Sequence, residues 1–471
     1  MKIAIAGFGM EGRANLKYFR AKYPSAEFVI FDENTISDNA PKAKIITGEN
    51  VFSQIRGFDL VLRTAGLSPH KIPSENKKIW SATNEFFANC PAKIIGVTGS
   101  KGKGTTCSFI NEILKAANKT AHLVGNFGVA SLDVLMSIKP DDLVIYELSS
   151  FQLWDLKKSP NIAVLTLIEP DHLDVHENFA EYVEAKSRIF EFQKSEDLAV
   201  FNEDDILVRE IAKSSLQKNP RQNKSFMNAK FAHIREGKFY YNNTEIGDIS
   251  IIKLPGEHNL RNAAAAINAT WDLIDENAEI VSKGLSNFHG LPHRLKFVAE
   301  INSVKYYDDS IATTQGSAIA ALRSFEKPKI LILGGHDKGA NYFEIGEIVE
   351  KLNCENEKKN LAPNVRAIII FGENRSKIKQ QISEKSSVNI VEINTDNLQN
   401  ERIKIKTNTP EFRGKLNEIS MTAMREIVMA AKQISQSGDL IILSPAAASF
   451  DLFDNYKVRG ESFARAVKNL Q

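Results

Sequence analysis

Residues 96–114 read GVTGSKGKGTTCSFINEIL, with four glycines and two lysines crowded into the first nine positions. Glycine-rich backbone can turn its N–H groups onto an anion, and lysine brings the matching charge. A standard P-loop has the spacing GxxxxGK[ST]. Here only Ser100 and Lys101 separate Gly99 from Gly102-Lys103, and Gly104 precedes the hydroxyls of Thr105 and Thr106. The chemistry survives the shorter spacing. The backbone from Gly99 to Lys103 can cradle a phosphate and Lys103 can reach a terminal one. Either Thr105 or Thr106 can meet Mg2+ at the helix start. A plain strand-to-helix turn would need neither the lysines nor the threonines.

A second glycine turn, Gly7-Phe8-Gly9-Met10-Glu11-Gly12, follows the run KIAIA, and Asp32 ends the next apolar run about 20 residues on. That is the spacing of a dinucleotide site. NAD or FAD is one reading and another diphosphate is the other, because a helix N-terminus recognises the anion and not the nucleoside. A dehydrogenase has no use for the second loop, and a simple ATPase has none for the first. Together they point to an enzyme that holds one substrate by its diphosphate and spends ATP on it.

Two further apolar runs end in ionisable residues. DLVIY leads into Glu147, and NIAVLTL into Glu169-Pro170-Asp171-His172-Leu173-Asp174. Ligands collect at the carboxyl ends of parallel strands, so these should converge with the phosphate loop. A carboxylate and a hydroxyl suit Mg2+. The set Asp171, His172, Asp174 and His176 also has the composition of a zinc site or of a solvated loop, but lacks a helical His-x-x-x-His frame. In ENFAEYVEAKSRIFEFQ, helical spacing puts Phe179, Val183, Lys186 and Phe190 on one arc. An ammonium inside that stripe must be paired, chemically altered or snorkelled to water.

These residues need strands and helices to hold them. KIAIAG, AEFVIFD, FDLVLRT, AKIIGVTG, DLVIYE, NIAVLTL, KILILGG, RAIIIFG, NIVEI and DLIILSP are continuous apolar runs separated by amphipathic stretches. This pattern predicts α/β architecture with parallel sheets covered on both faces. At about 150 residues per domain, the 471-residue chain predicts three. Boundaries fall near Cys90-Pro91 and around Leu291-Pro292-His293-Arg294. Polar runs at 213–224 and 396–414 read as surface excursions.

The net charge of +2 offers no field for nucleic acid or an anionic membrane. Three scattered cysteines, Cys90, Cys107 and Cys354, form neither a disulfide framework nor a zinc ribbon, which favours a reducing compartment. No run approaches the roughly 20 apolar residues of a membrane span, and the start lacks signal-peptide features. A soluble, cytoplasmic monomer is expected.

TGSKGKGTT, YELSSFQL, EPDHLDVH followed by EAKSRIF, GEHNLRNAAAA, LPHR, YYDDS with ATT, LILGGHDKG and LSPAAASFDLFDNYKVRGESF occur in this order. This set resembles the Mur ligase family over the whole chain. ELSSFQL and SPAAASFD with FDNYKVRG are closest to its D-glutamate-adding member. The GKGT-type loop is shared more widely, with folylpolyglutamate synthases among others.

The resemblance implies a Rossmann-like UDP-substrate domain (1–90), a central P-loop ATPase-like domain (91–296) and a Rossmann-like amino-acid-binding domain (297–471). The implied substrates are ATP, D-glutamate and UDP-N-acetylmuramoyl-L-alanine, joined through an acyl phosphate in peptidoglycan precursor synthesis. L-glutamate, or a folylpolyglutamate-synthase-like substrate, is the alternative.

By the same resemblance, Lys103 neutralises phosphate, and Thr105, Glu147 and His172 hold a pair of Mg2+ ions. Lys186 is carbamylated and joins them. Gly7, Gly9 and Gly12 face the UDP diphosphate, with Asp32 toward the uridine and Asn126 beside the substrate. Asn259 and Asn262 match an adenine-contacting pair, Arg294 a phosphate contact and Asp309 a ribose contact. Thr313, Lys338, Ser449 and Tyr456 match amino-acid contacts. Thr64-Ala65-Gly66 replaces the family's usual Ser-Pro-Gly, and Ile311 stands where a lysine is usual.

Overall fold

The computed structural model describes all residues except 37–42, 74, 77, 126–129, 173–174, 406–409 and 471. The chain forms two compact units, Met1–Lys253 with Glu257–Phe288, and Leu254–Gly256 with His289–Gln471.

The first unit opens with a five-stranded parallel sheet of β1 (Lys2–Ala6), β2 (Glu27–Asp32), β3 (Lys44–Thr47), β4 (Leu60–Arg63) and β5 (Ile79–Ser81). Its order is β3-β2-β1-β4-β5, so the winding reverses beside β1. Phe19 of the helix Met10–Lys22 and Phe86 and Phe87 of the helix Ala82–Asn89 pack into the core with Ile3, Ile5 and Leu62.

A second parallel sheet follows, formed by β6 (Lys93–Thr98), β7 (Ala121–Gly125), β8 (Leu143–Glu147), β9 (Ile162–Leu165), β10 (Leu198–Asn202) and β11 (Gln222–Phe226), in the order β11-β10-β9-β6-β8-β7. Strand β6 pairs with both β8 and β9. The order changes there, and a crevice at the carboxyl ends of these three strands is where such a sheet takes its ligand. A small antiparallel meander, β12 (Ala232–Arg235), β13 (Lys238–Tyr241) and β14 (Thr244–Asp248), completes this unit's sheets.

The second unit has one six-stranded sheet: β15 (Lys296–Ile301), β16 (Val304–Asp308), β17 (Lys329–Gly334), β18 (Val365–Phe371), β19 (Asn389–Glu392) and β20 (Leu440–Leu443). The last strand in sequence lies between β16 and β17, and only β15 pairs antiparallel.

All ten apolar runs named from the sequence are strands, as β1, β2, β4, β6, β8, β9 and β17–β20. β3, β5, β7, β11, β15, β16 and the meander lie outside those runs, because their residues alternate or are only part-buried, whereas β10, with the fully buried run LAVFN, has the apolar pattern and is a miss. The polar run 213–224 carries the end of the helix Ile206–Lys218 and the start of β11, and the run 396–414 opens with the helix Asp396–Lys404, which has no buried residue. Among the described residues no helix is long and apolar enough to cross a membrane.

Candidate active site

The first glycine turn sits at the reversal of the N-terminal sheet. Gly7 has φ +90, and a Cβ there would lie 2.3 Å from Thr64 Oγ1. A Cβ on Gly12 would lie 2.2 Å from the Gly7 carbonyl oxygen, so close backbone approach requires both glycines. Gly9 has open space instead. Asp32 closes the turn from β2, accepting the Phe8 N–H at 2.7 Å. From the other side, the buried Arg63 guanidinium donates to the carbonyls of Thr64, Ala65, Leu67 and Phe151 and pairs with Asp155. This holds the Thr64-Ala65-Gly66 turn opposite Gly7.

A cavity of about 330 Å³ opens here, lined by Glu11, Gly66, Gly125, Ser149 and Gln152 among others. Glu11 Oε2 accepts the Ala65 N–H at 3.1 Å, while its Oε1 is shielded from solvent without a hydrogen-bond partner. Burial pushes the Glu11 carboxyl above its ordinary range, with the Ala65 N–H and Arg63 pulling the other way. Asn126, expected beside this substrate, lies outside the described residues.

The second loop joins β6 to the helix Lys103–Ala116, and its conformation is left-handed at Gly99 (φ +150) and Gly102 (φ +86). A Cβ on Gly99 would meet Thr166 Oγ1 at 2.0 Å, and one on Gly102 would meet Asn262 Oδ1 at 2.4 Å. Ser100 is committed internally: its hydroxyl contacts Tyr182 Oη at 2.7 Å and the Glu169 carbonyl at 2.8 Å. Lys101 pairs with Glu169 at the surface. Lys103 Nζ folds over the loop and donates to the carbonyls of Gly99 and Ser100. Thr105 and Thr106 are both buried at the helix start with Gly104, and the Thr106 hydroxyl lies 3.5 Å from Asn262 Oδ1. Asn262 in turn donates to Asn259 at 3.2 Å, so the helix His258–Thr270 brings both asparagines against the loop. His258, whose pKa is lowered by burial and then by Arg261 and Lys101, belongs to the same edge.

Lys186 lies on the helix Phe179–Glu191 at 2% exposure. Its Nζ donates to the Gly99 carbonyl at 2.9 Å and lies 3.4 Å from Thr98 Oγ1. The snorkelling reading therefore fails, since the head group points into the sheet end. Burial holds its pKa well below the ordinary range, the Lys103 ammonium adds to this, and Asp171 and Glu147 oppose it. Tyr182, Ala185, Ile189 and Phe190 are its buried companions, whereas Phe179 and Val183 are only part-buried.

Glu147 ends β8 and is buried. His172 follows β9 with φ +53, exposed, its ring centroid 4.9 Å from that of Phe151. Asp174 lies outside the described residues. A backbone cradle with no room for a Cβ, two buried hydroxyls, a buried carboxylate and an imidazole make a donor set that fits phosphate with Mg2+.

In the second unit the predicted residues also gather at strand ends. Asp309 follows β16, accepting from the Ser444 hydroxyl at 2.7 Å and the Leu295 N–H at 3.1 Å. Burial pushes its carboxyl up to about 7, against Ser444, Leu295 and nearby Arg294. Thr313 and Lys338 are exposed, and Lys338 Nζ sits 5.4 Å from the Phe450 ring centroid. Ser449 is buried beyond β20, and Tyr456 starts the helix Tyr456–Lys468 with its ring edge toward His293.

The Mur ligase middle-domain model matches residues 97–270. Over its full length the chain is 33% identical to the UDP-N-acetylmuramoylalanine--D-glutamate ligase of Acetivibrio thermocellus, covering 97% of that protein. The identity to the enzyme of that name from Clostridium tetani is also 33%, again covering 97%. The chain belongs to the Mur ligase family. A solved UDP-N-acetylmuramate-alanine ligase from Thermotoga maritima shares the fold at a TM-score of 0.54 with 16% identity, both chains fully covered. A folylpolyglutamate synthase from Mycobacterium tuberculosis shares it at 0.52 with 13% identity, over 83% of this chain and 93% of that one.

Within this Mur ligase, sequence reasoning missed three positioning groups. Arg63, Glu11 and Arg459 received no role from the sequence, although Glu11 lies within the first glycine turn. The Arg459 guanidinium is buried and donates to Ser310 Oγ and to the carbonyls of Ser310, Ala447 and Ala448, joining the loops after β16 and β20. A charge inside an otherwise apolar run is the signal for Arg63 in LVLR, and FDNYKVRG contains Arg459.

Proposed function

We propose that this Mur ligase joins D-glutamate to UDP-N-acetylmuramoyl-L-alanine at the expense of ATP in peptidoglycan precursor synthesis. The alanine carboxylate attacks the γ-phosphorus and ADP leaves. The glutamate amine then attacks the acyl carbon, phosphate leaves and the amide forms. Identity to ligases of that name over the whole chain carries the reading.

The roles are those the resemblance implies, and the geometry described supports them as follows. Gly7 and Gly12 bring backbone to the UDP diphosphate. Gly99–Lys103 bind the ATP phosphates, Lys103 swinging from the Gly99 and Ser100 carbonyls to the transferring group. Asn259 and Asn262 border the adenine side. Thr105, Glu147, His172 and a carbamylated Lys186 would hold Mg2+, which when bound offsets the charge of the phosphates. Thr105 is favoured over Thr106 because the Thr106 hydroxyl already faces Asn262. Arg294 and Asp309 are assigned to the nucleotide, and Thr313, Lys338, Ser449 and Tyr456 to the amino acid. The division into domains 1–90, 91–296 and 297–471 is part of the same proposal, supported by the chain's three large sheets. The reading places the protein, as a monomer, in the cytoplasm.

The test is phosphate release with UDP-N-acetylmuramoyl-L-alanine and ATP across D-glutamate, L-glutamate and other acidic amino acids. D-glutamate alone should support turnover. Turnover with L-glutamate only would overturn the amino-acid assignment, which matters because Ile311 leaves one expected cation absent.

A further inference from the structure

His70, Glu177 and Glu181 form a cluster of metal-ligating side chains with His176 beside it, separated from Ser100 of the phosphate loop by the ring of Tyr182. His70 is in the turn Pro69–Lys71 after β4, whereas His176, Glu177 and Glu181 come from the segment after β9 and the helix Phe179–Glu191. Ligand atoms of His70, Glu177 and Glu181 all lie within 4.8 Å of one another. His70 Nε2 is 2.6 Å from Glu181 Oε1 and 3.7 Å from Glu177 Oε1. His176 has a fully buried side chain, and its Nδ1 has no hydrogen-bond partner while facing Glu181 Oε2 at 3.5 Å.

We propose that His70, His176, Glu177 and Glu181 form a site for one divalent transition-metal ion of the zinc class. With bonds of about 2.0–2.2 Å, ligand atoms around a tetrahedral ion stand roughly 3.3–3.6 Å apart. The 3.5 Å His176–Glu181 separation matches that spacing and the 3.7 Å His70–Glu177 separation slightly exceeds it. The His70–Glu181 contact must open and His176, which lies outside the 4.8 Å group formed by the other three, must draw in toward them; His70 is half-exposed on a short turn.

The outer contacts have the form that metal ligands require. His176 Nε2 meets Ser150 Oγ at 3.0 Å, which leaves Nδ1 as the lone pair aimed at the cluster. Glu181 is oriented by the Trp154 indole N–H at 3.2 Å and the Glu177 backbone N–H at 2.8 Å. Trp154 stacks on His176 with centroids 4.1 Å apart and stands edge-on to His70 at 5.7 Å, fixing both imidazoles. A bound ion would clasp the turn after β4 to the segment after β9, and so would act on stability.

The experiment uses the full chain, stripped with chelator and held in excess Mg2+. Titration with Co2+ should give one equivalent with the visible bands of a four-coordinate ion, displaced by Zn2+, and Zn2+ should raise Tm. His70→Ala and Glu177→Gln should each weaken this uptake at least about 10-fold and cancel the Tm rise. Glu177 is exposed, so Glu177→Gln reports even where His70→Ala fails to fold. Absence of a bound equivalent in the wild-type chain, or undiminished uptake in either folded variant, would overturn the site.

Discussion

Lys186 and Lys103 donate to the same atom, the carbonyl oxygen of Gly99, at 2.9 and 2.8 Å. Two ammonium groups meeting on one acceptor repel, and burial compounds the cost for Lys186. A neutral Lys186 relieves the conflict, and a neutral amine is the form that adds CO2. Forming the N–C bond and releasing one proton would turn that neutral amine beside Lys103 into an anion.

Turnover should therefore fall in CO2-free buffer and return on adding bicarbonate. Lys186→Ala should lose about 10²–10³-fold in kcat, and Lys186→Arg should not recover it, since a guanidinium cannot carry CO2. Steady-state phosphate release checks both, and a Lys186→Arg enzyme with full activity would contradict the role.

Glu11 gives a pH effect whose sign is set by its raised pKa. A carboxyl raised on folding favours the folded state at low pH and loses that contribution as pH rises through the folded value. Glu11→Gln keeps the neutral form and the acceptor for Ala65 N–H. The variant should gain on wild type by about 1–2 kcal/mol at alkaline pH and little at acid pH. Urea melts at the two extremes measure the gap.

Asp309 makes a parallel case in the second unit. Its ordinary value is 3.8 and its folded value about 7, so wild-type stability should decline between those pH values as the proton is lost. The full difference is on the order of 4 kcal/mol. Asp309→Asn should flatten the profile of Tm against pH over this window, and an unchanged profile would refute the assignment.

Arg459 ties together the loops after β16 and β20, where the proposal puts the amino acid. Burial lowers its pKa to about 10, yet its guanidinium is shared among Ser310, Ala447 and Ala448. Arg459→Met leaves those buried acceptors unpaired and should cost about 3 kcal/mol or more. Arg459→Lys should recover only part, because an ammonium cannot reproduce the fork. The KM for the amino acid should rise more than kcat falls, since Ser449 lies on the loop that Arg459 holds.

Much of the fold was legible because a strand buried on both faces must be apolar at successive positions, as in KIAIA and LIIL. The meander β12–β14 escaped this test, its residues AHIR, KFYY and TEIGD alternating or polar. The phosphate loop was equally legible, for its glycines and lysines are adjacent in the chain.

By itself the sequence determined which residues could bind phosphate, that Lys186 falls within a largely apolar helical face, and the order of the motifs. Only the tertiary structure decided that Lys186 ends on the Gly99 carbonyl, that Glu11 keeps an unpaired oxygen at a cavity wall, and that His70 joins Glu177 and Glu181. The reason is physical. Neighbours along a helix or strand are set by backbone geometry, whereas Lys186 and Gly99, 87 residues apart, meet only through the path taken by the sheet between them.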